Sequence, residues 1–300
     1  MYHRPVLLDE SVEGLKIKGP GIYVDATFGG GGHSRKILEQ LTTGSLIAFD
    51  QDADALQNRP DDPRLLLINQ NFRYMSNFLK LYKAIPVDGI LADLGVSSHQ
   101  IDVPDRGFSI RFDAPLDMRM SRKKDLTAAE VVNRYPIRRL KEIFRNYGEL
   151  REAGRIAARI EDARQKEEIK TTGQLISILR SLAPRNAEQK FFAKVWQALR
   201  IEVNDEMGAL EAFLNQAAEL IKPGGRLVVI SYHSLEDRMV KNFLKTGNVQ
   251  GEQVKDFYGN LKAPFRAITR KPIVPGEEEI KENNRARSAR LRIGERIENA

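Results

Sequence analysis

The chain has 300 residues, a net charge of +7, 30% charged and 41% hydrophobic residues, and no cysteine. It reads as an ordinary soluble globular protein with room for two domains, or for one domain carrying a long insertion. The missing cysteine excludes disulfides, thiolate-bound zinc or iron–sulfur clusters, and a covalent thiol nucleophile. The basic balance favours a polyanionic partner, with phosphate backbone foremost. No apolar run nears the roughly 20 residues that span a bilayer, and Met1–Pro5 opens no signal segment, so a cytoplasmic protein with no membrane partner is expected.

Taken in order, Ile22–Ala26, Ser45–Asp50, Arg64–Asn69 and Asp88–Asp93 read as strands, with helices at Ser34–Leu41, Ala53–Asn58 and Phe72–Lys83. This alternation predicts a parallel sheet covered on both faces, which binds ligands beyond the carboxyl ends of its strands. From Asp105 to Phe191 the strand signals vanish. Ile137, Leu140, Phe144, Tyr147 and Leu150 recur at helical steps, as do Ile156, Ile160 and Ala163, and Thr171 or Thr172 suits the cap of a helix over Leu175–Leu182. The block 105–196 is therefore predicted to be an inserted helical domain, with 1–104 and 197–300 forming one discontinuous domain around it. Ala198–Ile221 reads as one long helix that Pro223-Gly224-Gly225 stops, and Arg226–Ser231 as a fifth strand. Beyond Lys241 the sequence turns polar and closes with Arg285, Arg287, Arg290, Arg292 and Arg296.

The loop after the first strand, Asp25-Ala26-Thr27-Phe28-Gly29-Gly30-Gly31-Gly32-His33, lets backbone approach a ligand where a Cβ would clash. A dinucleotide fingerprint read from Gly29 and Gly31 meets Ser34 where it wants a third glycine. An acid followed by alternating small residues, Asp25-x-Thr27-x-Gly29-x-Gly31, fits an S-adenosylmethionine loop better. Asp50 ends the second strand about twenty residues on, where a carboxylate accepts both ribose hydroxyls. Asp52 and Asp54 equally suit a helix start there. Phe72 suits either an adenine face or plain core packing. The fold class predicted is α/β, a doubly wound Rossmann-like sheet of the class I methyltransferase kind with an inserted helical domain. A strictly small-molecule or protein methyltransferase, and a non-catalytic ribosome-assembly factor that keeps a nucleoside pocket, are the alternative readings.

Several longer motifs carry a resemblance. Pro5-Val6-Leu7-Leu8-Asp9-Glu10, the glycine loop through His33-Ser34, Asp93–Ser98 with Gln100, Arg106-Gly107-Phe108-Ser109 and Pro115–Met120 resemble the MraW/RsmH family. So do Gln197–Ile201, Ile230–Arg238 and Arg285-Ala286-Arg287-Ser288. The resemblance runs nearly end to end. It implies methylation of the N4 amino group of one cytidine of 16S ribosomal RNA near the decoding centre, within a 30S particle, and it is compatible with a homodimer. It also implies cofactor contacts at Gly31, Gly32, His33, Asp50, Phe72, Asp93 and Gln100. Three points depart from the family: Gly30 stands where Arg or Lys is common, Tyr232 where Phe is common, and Ala187–Val195 lacks the usual His-Pro-Ala-x-Arg lead into Gln197.

An exocyclic cytosine amine is a weak nucleophile because its lone pair is delocalised, so positioning carries most of the acceleration. A methyl transfer to ring carbon C5 needs a cysteine, which is absent. The candidate proton acceptors are Asp93, Ser97, Ser98 and the carbonyls of their loop, with His233 as a relay; Asp93 has a competing task at the methionine ammonium, and Asp117 is a further candidate. No spacing of Asp, Glu and His suggests a metal. The target base must leave its stack, and the helical insertion and arginine tail are the expected clamps. Arg106, Arg111, Arg119, Arg200, Arg285 and Arg287 are the expected phosphate contacts.

Overall fold

The computed structural model describes residues 5–255, 257–259 and 261–298; Met1–Arg4, read above as opening no signal segment, lie outside them. In chain order the elements are α1 (Leu8–Leu15), β1 (Ile22–Asp25), α2 (Gly32–Gln40), β2 (Ser45–Phe49), β3 (Leu65–Ile68), α3 (Met75–Leu81) and β4 (Val87–Asp93). A helical stretch follows, with α4 (Ser98–Asp102), α5 (Ala128–Arg134), α6 (Ile137–Asn146), α7 (Ala153–Arg164), α8 (Thr172–Leu179) and α9 (Glu188–Asn204). The chain then forms α10 (Glu206–Leu220), β5 (Ile221–Ser231), α11 (Ser234–Thr246), β6 (Phe265–Ala267), α12 (Glu277–Glu282) and β7 (Arg290–Arg296). No helix among the described residues is long and apolar enough to cross a membrane.

The strands form one sheet in the order β3-β2-β1-β4-β5-β7-β6, parallel from β3 to β5, with β7 antiparallel to both β5 and β6. Its central strands are apolar on both faces, as a parallel sheet between helices requires. Along β5 the side chains alternate. Leu227 and Val229 join a core with α3, α10 and α11, whereas Val228 and Ile230 join a second core with α1, α2 and β7. β1, β2 and β4 are adjacent, and their carboxyl ends bring Asp25, Asp50 and Asp93 to one edge.

The chain divides between Gly95 and Val96 and between Met207 and Gly208 into a sheet unit and a helical unit. The predicted limits, 104 and 196, fall short of these. α9 is continuous, and Phe191, Phe192, Val195, Trp196, Leu199 and Val203 along it all enter the core of the helical unit. The predicted helix Ala198–Ile221 is two helices. Asp205 takes a left-handed φ of 51° and donates its amide to the Glu202 and Ile201 carbonyls, which ends α9. Ala53–Asn58 and Phe72–Tyr74 are 3-10 turns, with Asp52 and Asn71 as their caps, and Thr171 caps α8 in a reciprocal box with Gln174.

The polar C-terminal stretch holds a strand. In β7, Leu291 and Ile293 pack into a sheet core while Arg292 turns the other way into a buried pair, Nε to Asp237 Oδ1 at 2.6 Å and Nη2 to Oδ2 at 3.1 Å. Arg290 reaches the same carboxylate at 3.2 Å, and Arg296 donates to the carbonyls of Ala218, Pro264 and Ile297. Arg292 and Arg296 are thus engaged within the sheet unit, while Arg290, more than half exposed, shares the Asp237 carboxylate.

Candidate cofactor site

Asp25 closes β1 and is buried. Its Oδ2 accepts the Ser34 hydroxyl at 2.6 Å and its Oδ1 the Thr27 amide at 3.1 Å. Ser34, the residue that breaks the dinucleotide fingerprint, thus has a task no glycine performs. Thr27 in turn accepts the Asp93 amide on its hydroxyl at 2.6 Å, which ties the glycine loop to the end of β4. Gly31 and Gly32 start α2. Gly31 has φ +75°, and a Cβ on Gly32 would sit 2.0 Å from the Pro5 ring, so the Pro5 motif and the glycine loop fit each other.

Asp50 follows β2. Its Oδ2 accepts the Gly29 amide at 2.7 Å and its Oδ1 the Asp52 amide at 2.8 Å. Each oxygen keeps a second acceptor position, so the carboxylate braces the loop and can still receive two hydroxyl donors. Asn69 steadies it by donating to the Asp50 carbonyl at 3.0 Å. Phe72 is half-buried and meets Phe213 edge to face at 5.3 Å between centroids, so core packing claims part of its ring.

Asp93 ends β4. Tyr232, just past β5, donates its hydroxyl to Asp93 Oδ1 at 2.8 Å. On the other oxygen, His33 Nδ1 lies 3.9 Å away. The His33 Nε2 is 3.2 Å from the Val6 carbonyl, which only accepts, so that nitrogen carries the hydrogen and Nδ1 presents a lone pair. Burial lowers the His33 pKa to about 4, which keeps the ring neutral. Burial raises Asp25 and Asp50 to about 6 and Asp93 to about 7, with neighbouring carboxylates adding to the rise at Asp50 and Asp93. Among the described residues none of the three is paired with a lysine or arginine. The strand ends therefore form a cluster of carboxylates short of positive charge. That cluster suits a ligand with cationic groups and opposes a diphosphate.

Sequence reasoning missed Thr27, Tyr232 and Glu236. Buried Glu236 accepts the Tyr232 amide at 2.9 Å and, with His233, caps α11; His233 Nδ1 accepts the Glu236 amide at 3.4 Å, and its Nε2 lies 3.2 Å from Glu236 Oε1. His233 is thus a helix cap. The polar run Tyr232-His233-Ser234-Leu235-Glu236 carried the capping signal.

The other predicted residues fall in the helical unit, except Arg285 and Arg287, which belong to the sheet unit. Ser97 caps α4, accepting the Gln100 amide at 3.2 Å, and the Gln100 side chain returns to the Ser97 amide at 3.1 Å. Gln100 is buried by this box, whereas Ser98 opens the helix partly exposed. Arg106 is only 2% exposed and donates to the Arg119 and Met120 carbonyls at 3.1 and 3.0 Å. Arg119 forms a two-pronged pair with Asp117, both contacts at 2.8 Å. Arg200 does the same with Glu206 at 2.8 and 3.0 Å. These three arginines, and Asp117, are held by contacts within the helical unit. Gly107 and Trp196 belong to the same framework: Gly107 has φ +71° with the Pro115 carbonyl 2.5 Å from where a Cβ would stand, and its own carbonyl accepts the Trp196 indole at 3.1 Å. Arg111 and Arg287 are exposed, and Arg285 is partly so.

A doubly wound sheet with acids at three adjacent strand ends and a glycine loop bound to them is a methyltransferase domain that uses S-adenosylmethionine. Comparison with known proteins narrows this class. Residues 1–297 match the MraW methylase family, and the chain belongs to it. It is 57% identical over 297 residues to the ribosomal RNA small subunit methyltransferase H of Flavobacterium johnsoniae, covering 99% of this chain and 98% of that one. It is 56% identical over 298 residues to the protein of the same name from Cytophaga hutchinsonii, covering 99% and 100%, and 53% identical over 298 residues to that of Parabacteroides distasonis, covering 99% and 98%.

Proposed function

We propose that this methyltransferase acts on the N4 amino group of a cytidine in 16S ribosomal RNA near the decoding centre, on a 30S particle in the cytoplasm. Relatives named for the small-subunit ribosomal RNA support the substrate class. The absence of cysteine supports an amine over a ring carbon. The observation that carries the chemistry is Asp93, held by Tyr232 at the edge where Asp25 and Asp50 also lie.

S-adenosylmethionine supplies an electrophilic methyl group on a sulfonium sulfur. In the proposed site Asp50 receives the ribose hydroxyls, the Gly31-Gly32-His33 turn approaches the cofactor through backbone, and Phe72 offers its remaining face to the adenine. Tyr232 fills one acceptor position of Asp93 Oδ1 and leaves Oδ2 the more open oxygen to accept an N–H. Accepting the amino hydrogen turns the nitrogen lone pair toward the methyl group, and the departing proton passes to Asp93. A carboxyl pKa of about 7 suits a group that must both take and release a proton near neutrality. Arg111, Arg285 and Arg287 are the proposed phosphate contacts.

Nucleoside mass spectrometry of ribosomal RNA from wild-type and deletion cells tests the proposal. N4-methylated cytidine missing from the deletion strain, and restored by the chain, is the expected result. An unchanged level, together with no transfer of tritiated methyl to naked RNA, 30S particles or their precursors, overturns it.

A further inference from the structure

Between α11 and β6 the chain makes a small hairpin that none of the chemistry above uses. Its arms meet through a bridge between Lys255 and Leu261 and through the Lys262 amide, which donates to the Val254 carbonyl at 2.9 Å. The base is fixed against the end of α11. Gly247 there has φ +80°, and the Lys262 carbonyl stands 2.5 Å from where its Cβ would be. At the tip sit Phe257 and Tyr258, 97% and 86% exposed, with ring centroids 5.6 Å apart and planes at 88°. Neither ring enters an apolar core. Single exposed apolar side chains are ordinary, but two adjacent aromatic rings held at the tip of a braced turn form a platform.

The charge around the platform selects its occupant. From Glu252 to Lys271 the sequence has five basic residues, Lys255, Lys262, Arg266, Arg270 and Lys271, against two acids. All five are exposed, and one of them, Arg266, pairs with Glu295. Exposed aromatic faces set among cations match single-stranded nucleic acid, whose bases stack on rings while its phosphates meet the cations. We propose that Phe257 and Tyr258 receive an unpaired base of the RNA substrate, one ring stacking face-on and the other, perpendicular to it, meeting the base edge-on, with Lys255 and Lys262 at the adjoining phosphates. This rests on the ribosomal RNA reading and adds to it a contact site outside the cofactor-binding strand ends.

The test measures binding of a dye-labelled, unstructured RNA strand of mixed sequence, and of an abasic strand of equal length, to the full chain. F257A/Y258A is expected to weaken binding of the normal strand at least about tenfold, the effect of removing one base stack. Its dependence on salt should stay as in the wild type, since every phosphate-binding cation is kept. The abasic strand should bind both proteins alike and weakly. F257W should keep wild-type affinity and show indole quenching on binding. Equal affinity of wild type and F257A/Y258A for the normal strand overturns the proposal and leaves the methylation reading standing if the wild type still modifies ribosomal RNA. Failure of the wild type to bind either strand also overturns the proposal, while the methylation reading stands or falls separately on methyl transfer to ribosomal RNA and 30S particles. A self-association of the wild type in sedimentation that F257A/Y258A abolishes, without a change in RNA affinity, assigns the tip to a second copy and also overturns it.

Discussion

Asp50 and Asp93 do different work although their strands, β2 and β4, both flank β1. Asp50 already accepts two backbone amides, so its charge is shared between bracing the glycine loop and receiving a diol. Asp50→Asn keeps the shape and removes the charge. Since hydrogen bonds to charged groups contribute about 1.5–3 kcal/mol, S-adenosylmethionine affinity should fall about tenfold to a hundredfold by calorimetry; unchanged affinity refutes the diol assignment. Asp93 is raised to about 7 by burial, and the Tyr232 hydroxyl works against that rise. A cationic ligand favours the ionised form, so cofactor binding near pH 6.5 should release protons, and affinity should climb as pH rises to about 7 and then level. In Tyr232→Phe the climb should move to higher pH. Calorimetry in buffers of different ionisation enthalpy reads the proton count; net proton uptake, or no shift in the variant, contradicts this role. The sign also governs the free protein. Carboxyls raised above their unfolded value near 3.9 contribute stability that is present below pH 4 and lost as pH rises through 6 to 7.

The elements that made the site legible in sequence are those whose pattern is local. β1, β2 and β4 are apolar runs that each end at an acid, because a strand buried on both faces shows no alternation and its polar end is conspicuous. β7 is the opposite case. Leu291 and Ile293 alternate with arginines, and a strand whose charges are satisfied by a distant carboxylate looks like a basic tail. The Tyr232–Asp93 bond joins residues 139 apart and leaves no local trace. Charge alone makes Arg106, Arg119 and Arg200 look like phosphate ligands, whereas carbonyls and carboxylates within their own unit hold them. The pair that secures β7 is testable. Arg292 is 8% and Asp237 10% exposed in their side chains, so Asp237→Ala leaves a buried guanidinium with its main partner gone. The loss should be about 3–5 kcal/mol in the denaturant-unfolding free energy, whereas Arg287→Ala, at an exposed position, should stay within about 0.5 kcal/mol of wild type.

For the molecule as a whole, the net charge of +7 acquires an address only after the internal arginines are subtracted. Arg106, Arg119, Arg200, Arg292 and Arg296 are committed to carbonyls or carboxylates, so they add little to a phosphate-binding face. Arg111, Arg287 and the lysines of the aromatic hairpin are exposed, and Arg285 is partly so, which makes them the candidates for that face. This sharpens what charge removal should do. Arg285→Ala with Arg287→Ala should weaken RNA binding and lower the slope of log affinity against log salt by about 2, close to 1 for each phosphate no longer neutralised. Arg287→Ala alone should leave the melting temperature near wild type, because its side chain is exposed. Arg292→Ala should unfold the protein at lower temperature through Asp237, so any RNA defect it shows follows the loss of folded protein and leaves the salt slope of the folded fraction unchanged. A double variant at 285 and 287 with wild-type slope would remove this stretch from the RNA surface and leave the aromatic hairpin and Arg111 to carry it.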